Sequence, residues 1–342
     1  MADLLNSLHW EALTGVVRQF DVPAGQFYFV QNTPSRDIAG DVFSWDTLKQ
    51  AINVDDVFTQ RDGTAEAVRG NDYGKKTAVL VHSFKSRTLD AGTLMQLRAP
   101  GTNDRDSRAL LMEEQQTLQW RYGTYLDEWM ITRAMTGTLT VKLGNVRQNV
   151  SYNITYGVPT SHTPTSAATW SAVGTNILTD LLNFKRIIAR DSGLQAKTAL
   201  CNQGVMNYML RNTDLINWMG QTPLSLQIQA NGHITRLAGL DFVVYDAHFA
   251  DTTVTDQFNT PFIANDRLLV IPDWSARWCE LVRGTVPIPN SDLTGFVETN
   301  PGSGPVMWSR VTDSPTGVTL YYRYARLPVI RRPEAFVYAT VA

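Results

Sequence analysis

The strongest constraint on this chain's fold is the stretch from residue 104 to residue 136. Leu111, Leu118, Tyr122, Tyr125, Trp129 and Met130 follow one another at spacings of 7, 4, 3, 4 and 1, which places them on one face of a helix. Asn103, Asp104 and Asp106 offer N-caps, and Gly137 suits the position just past the end. About 30 residues at 1.5 Å each make a rod of roughly 45 Å, where the average helix has about three turns. Gly123 sits in its middle and costs about 1 kcal/mol against Ala, so a bend or a close packing partner is expected there. After Gly137 the period changes to two. Leu139, Val141 and Leu143 alternate with polar residues, Gly144-Asn145 starts a turn, and Val150, Tyr152, Ile154 and Tyr156 alternate on the return. The spacing predicts a β-hairpin fused to the end of the rod.

On either side the pattern is mixed. Residues 1 to about 60 hold short apolar pieces broken by Pro23, Gly25, Pro34 and Gly40, which read as an extended arm with a turn or two of helix. Residues 60 to 100 begin polar and Gly-rich, then alternate through Val79, Val81 and Ser83, predicting a two-stranded excursion with a polar tip. Residues 157–176 are a Pro/Thr/Ser loop. Ile177, Leu181, Phe184 and Ile188 mark a helix stopped at Ser192-Gly193, and Asn202 caps another through Val205, Met206 and Met209. Residues 242–245 and 268–271 suit buried strands, 284–317 reads as loop, and Val318, Leu320, Tyr322 and Tyr324 alternate in the tail. No repeat of 20 to 50 residues occurs, which excludes a solenoid or propeller. The fold class is α+β.

At 342 residues the chain allows about two domains or one elaborate one. Its hydrophobic share of 43% and net charge of −2 exclude a disordered chain, and the charge excludes a chain that binds nucleic acid by electrostatics as a whole. Its charged share of 18% is too low for a coiled coil. No apolar run is long enough to span a bilayer. Cys201 and Cys279 are too few for a disulfide framework or a four-ligand zinc site, and read as buried free thiols. The N-terminus has no basic and apolar signal segment, so the acceptor patterns at Asn149 and Asn153 are empty matches. The expected compartment is reducing and cytosolic where the chain folds.

Candidate chemistry is sparse. Gly70 to Thr77 (GNDYGKKT) faintly resembles a phosphate-binding loop, but it is one residue short and has Lys76 where a metal-binding hydroxyl belongs. His9, His82, His162, His233 and His248 are scattered singly, with no metal-binding spacing. The pairs Glu113-Glu114 and Asp127-Glu128 could in principle run acid/base chemistry. Neighbours on a helix point apart, so both pairs are expected on a solvated face. Asp241 and Asp246 flank a strand, there is no nucleophile elbow, and neither cysteine has a catalytic signature. No catalytic residue, cofactor site or metal site is assigned. Nine Trp and twelve Tyr are expected in the core and subunit interfaces before sugar or base stacking.

The order of features resembles the tailed-phage major capsid protein of the Hong Kong 97-type fold, and within it the lambda-like major capsid protein E family. The stretches that carry the resemblance are 126–137 (LDEWMITRAMTG), 154–159 (ITYGVP), 237–246 (LAGLDFVVYD) and the closing 327–338 (LPVIRRPEAFVY). The resemblance implies an N-terminal arm at 1–59 and an E-loop at 60–103 that lies across a neighbouring subunit. It implies a peripheral domain of spine helix and β-hairpin at 104–176, an axial domain at 177–320, and a return to the peripheral domain at 321–342. It implies a structural protein that assembles in the host cytoplasm into the icosahedral head shell of the virion. It implies no enzymatic activity and no cofactor. Implied partners are other copies as pentamers and hexamers, a separate scaffolding protein, a portal protein, a decoration protein, and packaged double-stranded DNA held without sequence specificity; no membrane is involved. The alternatives are a carbohydrate-binding or carbohydrate-processing protein, or another virion component such as a tail piece. Tyr73, Lys75, Lys76 and Arg87 are the candidate inter-subunit contacts. Some relatives cross-link through a Lys in this loop, but the lambda-like resemblance points away from that for Lys75 and Lys76. Residues 61–78 are expected to order only in the shell, and Trp129 is expected to fill the seam between helix and hairpin.

Overall fold

The computed structural model describes residues 10–19, 27–49, 72–90, 105–145, 148–172, 174–219, 232–249, 260–286, 303–313 and 316–342. Two compact units share the chain, each assembled from three separate stretches. The first takes Met1–Phe43, Thr77–Ile131 and Glu280–Val329; the second takes Ser44–Lys76, Thr132–Cys279 and Ile330–Ala342.

The first unit is organised by one strand. Thr316–Ile330, 15 residues long, pairs antiparallel with Val306–Asp313 in the register Val306↔Arg323, and with Val81–Asp90 in the register Val81↔Arg326. Cys279–Arg283 extends this sheet and carries Ser35–Asp37 as a parallel edge, Ser35 opposite Leu281. The alternation expected in the tail is present: Leu320, Tyr322 and Tyr324 point inward with Met307 and Leu89. Leu13 and Val17 of the helix Trp10–Arg18, and Leu118 of the long helix, close the other side of this core. Thr14 Oγ1 donates to the Met307 carbonyl at 3.1 Å, which seats the first helix on the strand. Val306–Asp313 corrects the expectation of loop across 284–317. Its ladder partner is the tail, and a short run interrupted by Ser309, Arg310 and Thr312 becomes a strand only when that partner covers it.

The long helix runs as Arg105–Gln119, a π-helical turn at Trp120–Thr124, and Tyr125–Met135. The disturbance expected at Gly123 is this turn. Gly123 is buried, and a Cβ there would lie 2.6 Å from the Gln119 side chain. Gln119 is itself fixed, since its Oε1 accepts the Tyr322 hydroxyl at 2.9 Å.

The second unit contains a five-stranded sheet in the order Val337–Thr340, Arg267–Pro272, Ala196–Cys201, Leu240–Val244, Arg236–Leu237. Ala196–Cys201 lies at its centre, antiparallel to Arg267–Pro272 and parallel to Leu240–Val244. The helix Ile177–Ser192 is capped by Asn176, whose side chain accepts the Thr179 N–H at 3.1 Å. It ends at Gly193, at φ 70°, the left-handed position that glycine adopts without strain. Asn202 caps Gln203–Arg211 by accepting the Val205 N–H at 3.0 Å, as its sequence position predicts. Leu181, Phe184, Ile188, Val205, Met209 and Val270 are buried together between these helices and the sheet. Each such side chain contributes about 1.5–3 kcal/mol on leaving water.

One further strand pair lies in this unit, and most of a second does. Thr138–Asn145 and Gln148–Thr155 form the predicted hairpin, Thr138 opposite Thr155, with Leu139, Val141 and Ile154 buried. Val42–Lys49 pairs with Asp72–Val79. Trp129 is half-buried, and Met130, Ile131, Ala134 and Met135 beside it are fully buried.

Candidate functional site

Among the described residues no cluster of three or more His, Cys, Asp or Glu side chains could hold a metal ion, and no helix is long and apolar enough to cross a membrane. Lys75, Lys76 and Thr77 lie within a strand, where a phosphate-binding loop would open a helix. The polar side chains with the most developed surroundings hold extended segments in place.

Glu128 is the first. Its side chain is fully buried; Oε1 accepts the Phe29 N–H at 3.1 Å and Oε2 accepts the Val30 N–H at 2.7 Å. These donors open the short helix Tyr28–Asn32, whose N-cap residue Phe27 supplies no side-chain cap. The carboxylate of a distant helix does that work instead. Phe27 packs 5.0 Å from the Trp120 ring and 5.6 Å from the Tyr125 ring, so the arm is held by both apolar and charged contacts.

Asp127, the neighbouring carboxylate, faces Arg326 at 2.8 Å. Arg326 is fully buried; its Nη2 donates to Ser83 Oγ at 3.0 Å and to the Tyr122 carbonyl at 2.6 Å, and its guanidinium lies 4.4 Å from the Tyr324 ring centre. Burial pushes the Asp127 carboxyl up to about 6, against the downward pull of Arg326, Arg283 and the Tyr324 hydrogen bond. The expectation of a solvated face is therefore corrected for Asp127 and Glu128. They do point apart, but each points into the interior, towards a partner remote in sequence. Of the other pair, Glu113 is exposed, while Glu114 Oε2 pairs with Arg87 Nε at 2.7 Å.

The middle of the Val42–Lys49/Asp72–Val79 ribbon is the third anchored segment. Lys76 Nζ donates to the Thr155 carbonyl at 3.3 Å and to the Tyr156 carbonyl at 2.5 Å, at the end of the hairpin. Desolvation lowers its pKa from the ordinary lysine value. Gly157, at φ 72°, leaves the room: a Cβ there would lie 2.6 Å from Nζ. Trp45 is buried 6.5 Å from the Tyr156 ring. Thr47 Oγ1 donates across the ribbon to the Gly74 carbonyl at 2.9 Å.

The four sequence-selected contact residues thus fall in two places. Tyr73, Lys75 and Lys76 share one ribbon strand; the Tyr73 side chain lies outside the described ones, Lys75 is exposed, and Lys76 is engaged as above. Arg87 stands on the first unit's sheet with Glu114. Arg326 and Gly157 were not singled out from sequence, and Glu128 was named only as one of a pair expected on a solvated face.

The closing segment is also locked. Phe336 is fully buried, 5.5 Å from the Trp278 ring, and the Trp278 carbonyl accepts the Arg331 N–H at 2.8 Å. His162, fully buried, sets Nδ1 2.8 Å from the Phe336 carbonyl and Nε2 3.0 Å from the Asp191 carboxylate. Both cysteines are buried free thiols, as expected, and burial pushes the Cys201 thiol up to about 12. Among the described residues, Phe84, Trp308 and Tyr321 form a partly exposed, nearly parallel group with centroids 5.5 to 6.0 Å apart, and Phe84 is 57% exposed.

The same architecture occurs in solved structures. A prophage chain of E. coli CFT073 described as a capsid protein superposes with a TM-score of 0.64 at 14% identity, over 98% of this chain and 99% of that one. The capsid of cyanophage P-SCSP1u matches with a TM-score of 0.51 at 11% identity, over 95% and 91%. The mature capsid of bacteriophage PhiM1 matches with a TM-score of 0.50 at 11% identity, over 94% and 90%. No curated protein sequence matches the chain. The fold is the Hong Kong 97-type phage capsid fold. The description of phage major capsid protein E fits residues 11–341, nearly end to end. The anchored arm, the ribbon and the locked tail therefore have one common setting: the chain belongs to the phage major capsid protein E family, whose members are structural subunits of the virion shell.

Proposed function

We propose that the Val42–Lys49/Asp72–Val79 ribbon is the part of this capsid subunit that reaches over a neighbouring copy. The observation that carries this is its isolation: among the described residues the two strands pair with each other and with neither five-stranded sheet. A lone two-stranded ribbon is marginally stable in water, so a covering partner has most to add here. In the same reading the long helix and its sheet form the peripheral body, and the helices and sheet around Ala196–Cys201 form the axial body that meets other copies as pentamers and hexamers. Of the four residues expected at inter-subunit contacts, Tyr73, Lys75 and Arg87 keep that role in this reading, and Lys76 is held within its own chain. In this reading its further partners are a scaffolding protein during assembly in the host cytoplasm, a portal protein, a decoration protein and double-stranded DNA on the inner face. The carbohydrate-binding alternative is not favoured.

Hydrogen exchange on dissociated subunits and on assembled shells tests the reading. Amides of 72–79 should become more protected on assembly. Equal protection in both states would refute the reach onto a neighbour. Of the segment expected to order on assembly, 72–78 lies in a strand and 61–71 lies outside the described residues.

A further inference from the structure

We infer that Lys76 is an internal strap that sets the angle at which the ribbon leaves its own subunit, and through that angle the uniformity of the shell. The inference rests on the reading that the ribbon reaches a neighbour. Lys76 was selected as an inter-subunit contact, but its ammonium is already engaged by two carbonyls of the same chain, those of Thr155 and Tyr156. Its neighbour Lys75 points to the opposite face of the strand and is exposed.

Three features make the cradle specific. The carbonyls belong to consecutive residues where the hairpin's second strand ends, so two acceptors converge on one donor. Gly157 supplies the left-handed backbone and the space that a side chain would take from the ammonium. Trp45, on the partner strand of the ribbon, lies over the Tyr156 ring, so both strands are held to the same residue. A cation on neutral carbonyls, bearing on a half-buried stem, resists rotation of the ribbon about this point.

Lys76 and Trp45 each stand four residues from the outer end of their strand, or roughly 13 Å at about 3.3 Å per residue. A swing of about 10° there moves that end by roughly 2.3 Å, about half the spacing between paired strands. An error of that size repeated in every copy would misplace each neighbour, so a fixed angle at the strap favours shells of one diameter.

The test compares full-length wild type, Lys76→Met and Lys75→Met, each as dissociated subunits and as assembled particles. Lys76→Met should raise amide exchange in Val42–Lys49 and Asp72–Val79 about tenfold in subunits and give particles of mixed diameter in electron microscopy. Lys75→Met should match wild type in subunit exchange, where no neighbouring copy is present. Unchanged exchange in Lys76→Met overturns the strap; faster exchange with particles of the single wild-type diameter overturns its role in the shell. If Lys76→Met yields no soluble subunit, Lys76→Gln, which keeps an N–H donor without the charge, should give an intermediate rise, and exchange equal to wild type overturns the inference. Failure of the underlying reading shows separately, as a wild-type ribbon equally protected in subunits and shells.

Discussion

Glu128→Ala is the sharpest probe of how the arm is held. The substitution removes an ionised acceptor from the Phe29 N–H at 3.1 Å and the Val30 N–H at 2.7 Å. Hydrogen bonds to a charged group are worth about 1.5–3 kcal/mol each, which sets an upper figure of about 3–6 kcal/mol for the pair. Water regains part of this at Val30, which is half-buried, but less at Phe29, which is fully buried. A net loss of about 2–4 kcal/mol is expected, a large share of the 5–15 kcal/mol typical of a folded domain. Glu128→Gln keeps one carbonyl oxygen but turns an amide N–H₂ towards a second N–H, so about half of the loss is expected there. Urea unfolding of dissociated subunits measures the total, and hydrogen exchange assigns it. The Phe29 and Val30 amides should lose protection while the Ala196–Cys201 core keeps its own. An alanine variant with wild-type unfolding and unchanged Phe29 exchange would show that the apolar contacts of Phe27 hold the arm unaided.

Two further outcomes concern the Asp127–Arg326 pair. Arg326→Met alone should cost about 3–5 kcal/mol, because it strands a buried carboxylate, and Asp127→Leu with Arg326→Met should recover most of that; a double-mutant cycle in urea checks it, and additive losses would argue against a direct pair. The pH dependence follows from the raised Asp127 value, about 6 folded against an ordinary 3.8. The folded state binds this proton more tightly, so the group disfavours folding above pH 6 and the folded state gains as pH falls from about 6 to about 4, by about 3 kcal/mol. Other carboxylates titrate as well, so the measured quantity is the stability of wild type minus that of Asp127→Asn across this range, and a flat difference would contradict the raised value.

The legible parts of the fold were those decided by neighbours in sequence. The long helix, its disturbance at Gly123, the caps at Asn176 and Asn202, the stop at Gly193 and the hairpin after Gly137 all rest on periodicity or on satisfying helix-end backbone groups. Those forces act within a few residues, so the sequence by itself determined them, along with the α+β class and the resemblance to a capsid family. Tertiary structure decided where charge could be buried and which segments became strands. Phe29 and Glu128 stand 99 residues apart, and Tyr122 and Arg326 stand 204 apart; no local spacing marks such partners, so Asp127 and Glu128 read as solvated until the fold closed around them. Val306–Asp313 became a strand and Lys76 became engaged for the same reason. A hydrogen-bond ladder or a carbonyl cradle needs two chain segments, and their meeting is set by packing of the whole chain rather than by the residues beside either one.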